Sequence, residues 1–450
     1  MDDSMDDSFE PDESMNERLQ EYLRQFGLGD KNGAFDFNVM LSQLQQVISA
    51  MGSTAMGGDN SVIDWTQTRA LARRLVAAAG PDPVPSHSDT IKLADAARLA
   101  ELWLDDATLF PQTAAPAVAW SRAQWVEALF DAIPGIAEPI GNNLTAAMVR
   151  LITDQTDPSV LADSGPFGQL GSMLTPLMRG SAGMLYAQQL ANTGSELATS
   201  VLTGTELGIQ LFSNPRIVWL PTNFASFVEG QEELQDDLLI YLCLREAARQ
   251  RLYQSASWLA PQLNALLQHY AREISIDSSA LNEVLADLDM DDLNPERLRE
   301  ASEQLQGRLF SPSRSQVQLE IIERLETLLA LVDGWVDHVT TQASKRWMTS
   351  APQLSEVIRR RRAVGNPPDK LFETLVGLQT QPRKIRDAQN LWAALEDSRG
   401  IEGRDHVWSH PDLVPQASDL NDPLGYVAGE RQTETDDLDD ALRKLLDEGI

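Results

Sequence analysis

Residues 238–253 read LLIYLCLREAARQRLY. Wound at about 100° per residue, the run becomes a helix with Leu238, Leu242, Arg245, Arg249 and Leu252 on one stripe. Glu246 and Tyr253 fall on its flank, and Ile240, Leu244 and Ala247 lie opposite. A helix that is apolar almost all round is a buried one. Two arginines on such a helix are costly unless each guanidinium is paired. At i and i+4 they also repel each other when unpaired. The stretch therefore predicts carboxylates nearby, with solvent-snorkelling side chains as the alternative. Cys243 lies among the hydrophobes and reads as core.

The rest of the composition sets broad limits. The chain has 450 residues, 36 Lys and Arg, 67 Asp and Glu, and a net charge of −31. Such a field repels phosphates and anionic lipid, so neither nucleic acid nor a membrane is an expected partner. No stretch approaches the ~20 charge-free apolar residues of a membrane span. The start, MDDSMDDSFEPDES, lacks the basic-then-apolar order of a signal peptide. A single cysteine forms no internal disulfide, which fits a reducing compartment. The expected location is the cytoplasm.

Helical patterning dominates the chain. Residues 88–106, 316–340, 351–362, 369–378 and 383–398 read as helices, and Ser121 is a good N-cap for RAQWVEALF. In the first of these, Ile91, Leu93, Ala94, Ala97, Leu99, Leu102 and Trp103 form the expected apolar spacing. Pro215 to Pro221 reads as one short strand, part of a small β element near 215–228. The glycines between Gly168 and Gly204 suggest closely packed helices. The expected fold is mainly α, a multi-helix body with minor β. The organisation expected is an acidic, disordered tail over 1–14, a helical region over 15–165, a site-bearing region over 166–428 and a second acidic tail over 429–450.

The opening helix also carries a motif with two members exchanged. In H-E-x-x-H, histidines at i and i+4 hold one zinc, and the glutamate acts on the metal-bound water. Here Arg245 and Arg249 stand at the histidine positions, and Glu246 remains. Arginine offers no free lone pair and stays protonated, so it cannot ligate zinc. Asp333, 84 residues beyond Arg249, lies at the edge of the apolar face of the 316–340 helix, and Gly334 permits close approach.

The stretches LADAARLAELWLDDAT, WSRAQWVEALF, LTGTELGIQLF, LLIYLCLREAARQRLY, LETLLALVDGWVDHV, VIRRRRA, LFETLVGLQTQPRKIRDAQNLWAAL and GIEGRDHVWSHPDLVP carry a wider likeness. From roughly Trp103 to Val427 the chain resembles a bacterial zincin-like metallopeptidase family. The resemblance implies a zincin-like body, zinc as the family's cofactor, and a hydrolase ancestry. It places Arg245 and Arg249 at the zinc histidines, Glu246 at the general base and Asp333 at the third, acidic ligand. Two arginines bring the charge of one zinc ion. An Arg/Glu/Asp network filling the old metal cavity is therefore expected, with no metal and Glu246 as a vestige.

Other candidates are weaker. His87, His269, His406 and His410 read as exposed or incidental. His338, beside Asp333 and Asp337, could join an unconventional metal cluster, but a solvated helix face is the expectation. Arg359 to Arg362 should pair with acidic neighbours or a tail. Gly204 to Gly208 reads as no more than a turn. No GxSxG elbow or phosphate-cradling loop is present. Three functions follow as expectations: a non-catalytic interaction or structural protein with a partner or peptide in the old cleft, an active hydrolase using a non-standard metal site around Glu246, or an adaptor whose acidic tails recruit basic partners.

Overall fold

A computed structural model describes residues 62–155, 166–210, 214–273, 315–365, 367–376 and 382–429. The chain divides into two units, 1–60 and 61–450, and every described residue belongs to the second. The expected acidic tail over 1–14, nearly all of that over 429–450, and the boundary near 165 lie outside the described residues.

The mainly α expectation holds. In order come α1 (Trp65–Ala78), α2 (His87–Leu104), β1 (Ala117–Ala119), α3 (Arg122–Ala132), α4 (Pro134–Gln155), α5 (Pro166–Ser200), β2 (Ile217–Trp219), α6 (Pro221–Phe227), α7 (Gln235–Ser255) and α8 (Leu259–Arg272). Then follow α9 (Gln316–Ser344), α10 (Ala351–Gly365), α11 (Pro367–Val376), α12 (Pro382–His406), α13 (Ala417–Asn421) and α14 (Pro423–Ala428). Several starts are set by local chemistry. Ser86, Ser121 and Ser315 close capping boxes with Asp89, Gln124 and Gln318, satisfying backbone N–H groups that the first helical turn leaves open.

The strand expected between Pro215 and Pro221 is present as the shorter β2, and its partner is β1. β1 and β2 pair in parallel, Ala117 with Ile217 and Ala119 with Trp219. The chain after Pro221 is α6, not strand, because proline at the first helical position lacks the N–H a strand would need. Thr203 bridges antiparallel to Trp219, and Leu220 N donates to Leu202 O at 3.0 Å. The 202–205 segment is thereby pinned beside β2.

α7 and α9 run through the core, with α9 packed on α12 and α7 on α2. Trp125, Trp335, Trp392 and Trp408 are fully buried. Trp392 stacks on Trp408, and its Nε1 donates to Leu331 O at 2.9 Å. Gly334 lets α9 and α12 touch: a Cβ there would lie 2.6 Å from Ala388 Cβ and 2.8 Å from Gln389 N. Gly194 of α5 meets Phe130 in the same way, as the glycine-rich stretch suggested. The face of α2 differs from expectation. Leu93, Ala96, Ala97, Ala100 and Leu104 are buried, whereas Ile91, Leu99 and Leu102 are exposed. Alanines let α2 sit close to α7, so the small residues, not the largest, mark its inner side.

Candidate functional site: a charged ladder between two buried helices

α7 is buried along nearly its whole 238–253 stretch, with Arg245 7% and Arg249 3% exposed. Neither arginine snorkels. Arg249 donates through Nη2 to Asp333 Oδ1 at 2.5 Å. Arg245 donates through Nη1 to Asp337 Oδ1. The order reverses along the two helices, so α7 and α9 run antiparallel where they meet. Two arginines four residues apart face two aspartates four residues apart, and one turn of helix separates each pair of rungs.

Asp333 therefore sits where the sequence placed it, but it serves Arg249 alone of the two. Asp337, buried rather than on a solvated face, is the partner of Arg245. A third arginine completes the ladder. Arg362 of α10 reaches Asp337 Oδ2 through Nη1 at 2.7 Å and Oδ1 through Nη2 at 3.0 Å, and lies 3.9 Å from Asp333 Oδ1. Burial alone would raise the pKa of Asp337. The Arg245 and Arg362 guanidiniums outweigh that and hold it well below the ordinary carboxylate range. The same pairing raises Arg362 against the effect of its own burial.

Glu246 is not a rung of this ladder. It is 1% exposed, and its carboxylate accepts from Thr205 N at 3.1 Å and from Thr205 Oγ1 at 2.5 Å. Thr205 also accepts from Arg249 Nη1, at 2.9 Å on its carbonyl and 3.1 Å on its hydroxyl. The Thr205 hydroxyl thus links Glu246 to Arg249. Gly204 makes this approach possible, since a Cβ there would lie 3.0 Å from Glu246 Oε1 and 2.9 Å from Val218 Cβ. Burial pushes the pKa of Glu246 up, and the hydrogen bonds from Thr205 and the charge of Arg249 only partly offset it. Arg249 Nε is buried with no hydrogen-bond partner.

The remaining candidates sort cleanly. His338 is buried, not solvated, because α12 covers it. Its Nε2 lies 2.7 Å from Glu396 Oε2, away from the aspartates of the ladder. His87, His269, His406 and His410 are exposed. Of the arginine run, Arg359 and Arg360 pair with Glu356, Arg361 with Glu206 and Arg362 with Asp337, all acidic neighbours. The sequence marks Asp337 only as a neighbour of His338, Arg362 only as one of an arginine run, and Thr205 not at all. The i, i+4 match between Arg245/Arg249 and Asp333/Asp337 was the available signal for one of them.

Zinc needs lone pairs from neutral imidazole or free carboxylate, at about 2.0–2.2 Å. Here positions 245 and 249 carry guanidinium, and both aspartates are bonded to guanidinium. The residues present do not fit zinc. Among the described residues no group of three or more His, Cys, Asp and Glu side chains is placed to hold a metal ion.

The site is thus a buried helix bearing Arg-Glu-x-x-Arg, its arginines paired with the aspartates of a partner helix. The chain belongs to the zincin-like metallopeptidase family, whose model matches residues 63–427. Its fold also resembles that of a crystallised protein from Chloroflexus aurantiacus, described as a candidate hydrolase with a novel fold. The TM-score is 0.55 at 18% identity, covering 82% of this chain and 99% of the other. No curated protein matches the chain. Among the described residues no helix is long and apolar enough to cross a membrane.

Proposed function

We propose that this protein is a non-catalytic member of its family, retained as an interaction or structural protein. The observation that carries the reading is that Arg245 and Arg249, which the family resemblance sets at the zinc histidines, are each bonded to a carboxylate of α9. A water-activating metal has no donors there. Glu246, the vestige of a general base, has its carboxylate taken up by Thr205. A protein or peptide partner would then use the surface around the old cleft, and the lone buried Cys243 suits a reducing cytoplasm.

Hydrolysis around Glu246 is the second reading, and one observation favours it. A carboxyl group whose pKa is raised by burial is what a general acid requires. Against it stands the near-complete burial of that side chain, which leaves a substrate no direct approach.

The test is metal content and peptidase turnover on untagged protein, beside Glu246→Gln. The expected result is substoichiometric metal and no turnover above background. Stoichiometric zinc or peptide cleavage that disappears in Glu246→Gln would overturn the proposal.

A further inference from the structure

We infer that the Arg–Asp ladder has taken over the structural work of the metal, so that the fold is held at this point by charge pairs and owes nothing to a divalent ion. The inference rests on the reading that the zinc site is lost, but it concerns stability and not turnover. In a H-E-x-x-H site, one ion ties the histidine-bearing helix to the element that supplies the third ligand, and for structural zinc that binding energy is folding energy. Here the same two helices, α7 and α9, are tied by Arg249 to Asp333 and by Arg245 to Asp337.

Three features show a crosslink rather than a chance pair. First, the two rungs share one spacing on both helices, so both form in a single register. Second, the charges alternate: Arg249, Asp333, Arg362, Asp337, Arg245, with each carboxylate between two guanidiniums. Such an arrangement compensates buried charge that an isolated pair would leave partly unpaired. Third, the ladder reaches beyond α7 and α9. Arg362 brings in α10, and Arg249 holds the carbonyl of Thr205 beside β2. The four elements round the old cavity therefore meet at one cluster.

The ladder also explains why two substitutions would not restore a metal. With histidine at 245 and 249, Arg362 would still occupy Asp337 and lie close to Asp333. Arg362 is a third obstacle, contributed by an element outside the motif.

Thermal unfolding of the full chain tests this, with and without a chelator and with added zinc. The wild-type midpoint should not move with EDTA or with zinc. Asp337→Asn, which keeps the shape and removes the charge, should lower the midpoint by ~5 °C or more. The triple variant R245H/R249H/R362Q should unfold early in EDTA and gain stability with one equivalent of zinc, more than R245H/R249H gains. A wild-type midpoint that falls in EDTA overturns the inference, as does an unchanged midpoint in Asp337→Asn. Should the triple variant not fold, the EDTA and Asp337→Asn arms still decide. Peptide cleavage by wild-type protein whose midpoint ignores EDTA would sink the proposed function and leave this inference standing.

Discussion

Two buried charge clusters hang on opposite sides of α9, and they solve the same problem differently. On the side facing α12, Arg404 is fully buried. Its Nε donates to Asp405 Oδ1 at 2.8 Å, its Nη1 to Glu396, and its Nη2 to Ala107 O at 2.8 Å. Asp405 accepts in addition from Thr108 Oγ1 at 2.6 Å, Leu109 N at 3.0 Å and Trp335 Nε1 at 3.1 Å. All three guanidinium nitrogens and the aspartate are used. On the side facing α7, Arg249 keeps an unbonded Nε, and the carboxylate of Asp337 accepts its side-chain bonds from two arginines. The first cluster draws on backbone and neutral donors, as built-in structural networks do. In the second, the bonds the two aspartates take from side chains come from guanidiniums, and Thr205 supplies the neutral acceptors for Arg249.

That contrast is open to attack at its strongest point. Asp337→Asn removes the carboxylate charge shared by two buried guanidiniums, Arg245 and Arg362, and is expected to cost about 3–5 kcal/mol. Asp405→Asn keeps an acceptor for its neutral donors, and Glu396 still faces Arg404, so about 1–3 kcal/mol is expected. Urea unfolding of both variants at neutral pH measures the difference, and a larger loss at Asp405 would break the distinction. The pH dependence carries the same signature. Asp337 has a folded pKa below its unfolded one, so its contribution is present above pH ~4 and is lost as pH falls through the folded value. Stability of the wild type should therefore fall more steeply between about pH 4 and 2 than that of Asp337→Asn.

Much of the α7 side was legible in the sequence, and the reason is periodicity. A buried helix with two arginines must find carboxylates, and Asp333 was found because it sits at the edge of the one long apolar stripe. Asp337 carries the same signal four residues on. It was passed over because an Asp next to a His reads as a solvated face when nothing shows that α10 and α12 cover it. Arg362 was legible only as one of four arginines, since which of them turns inward depends on how α10 lies across α9. Thr205 gave no signal by itself. A threonine in a glycine-flanked turn is ordinary, and its role comes from β2, which pins the 202–205 segment against Glu246. Pairings between segments far apart in the chain, like that of β1 with β2, leave no local mark.

Gly204 lets the comparison be sharpened without touching a charge. Its missing side chain is what allows the Thr205 turn to reach Glu246. Gly204→Ala would force a methyl group into contact with Val218 and the Glu246 carboxylate, and about 1–3 kcal/mol of destabilisation is expected. Thermal unfolding checks the value, and a neutral substitution would mean that the turn moves freely and that its bonds to Glu246 and Arg249 matter little.

The smallest effect is expected at the residue that chemistry would make the most important. Burial raises the pKa of Glu246, so the folded state holds its proton more tightly than the unfolded chain does. That preference favours folding below pH ~4.5, and it is lost as pH rises through the raised folded value. As pH rises above the unfolded value this glutamate therefore works increasingly against the fold, the opposite of Asp337. Glu246→Gln removes that opposition and keeps one oxygen to accept from the Thr205 backbone N–H, so stability near neutral pH should change by no more than about 1 kcal/mol, in the stabilising direction. Calorimetry at pH 5 and pH 8 decides it, since the advantage of the variant should grow with pH. A general base in use would be held ionised, and its replacement would then cost stability at pH 8. A gain there instead marks a carboxylate that its surroundings no longer need charged, beside a ladder that needs every charge it has.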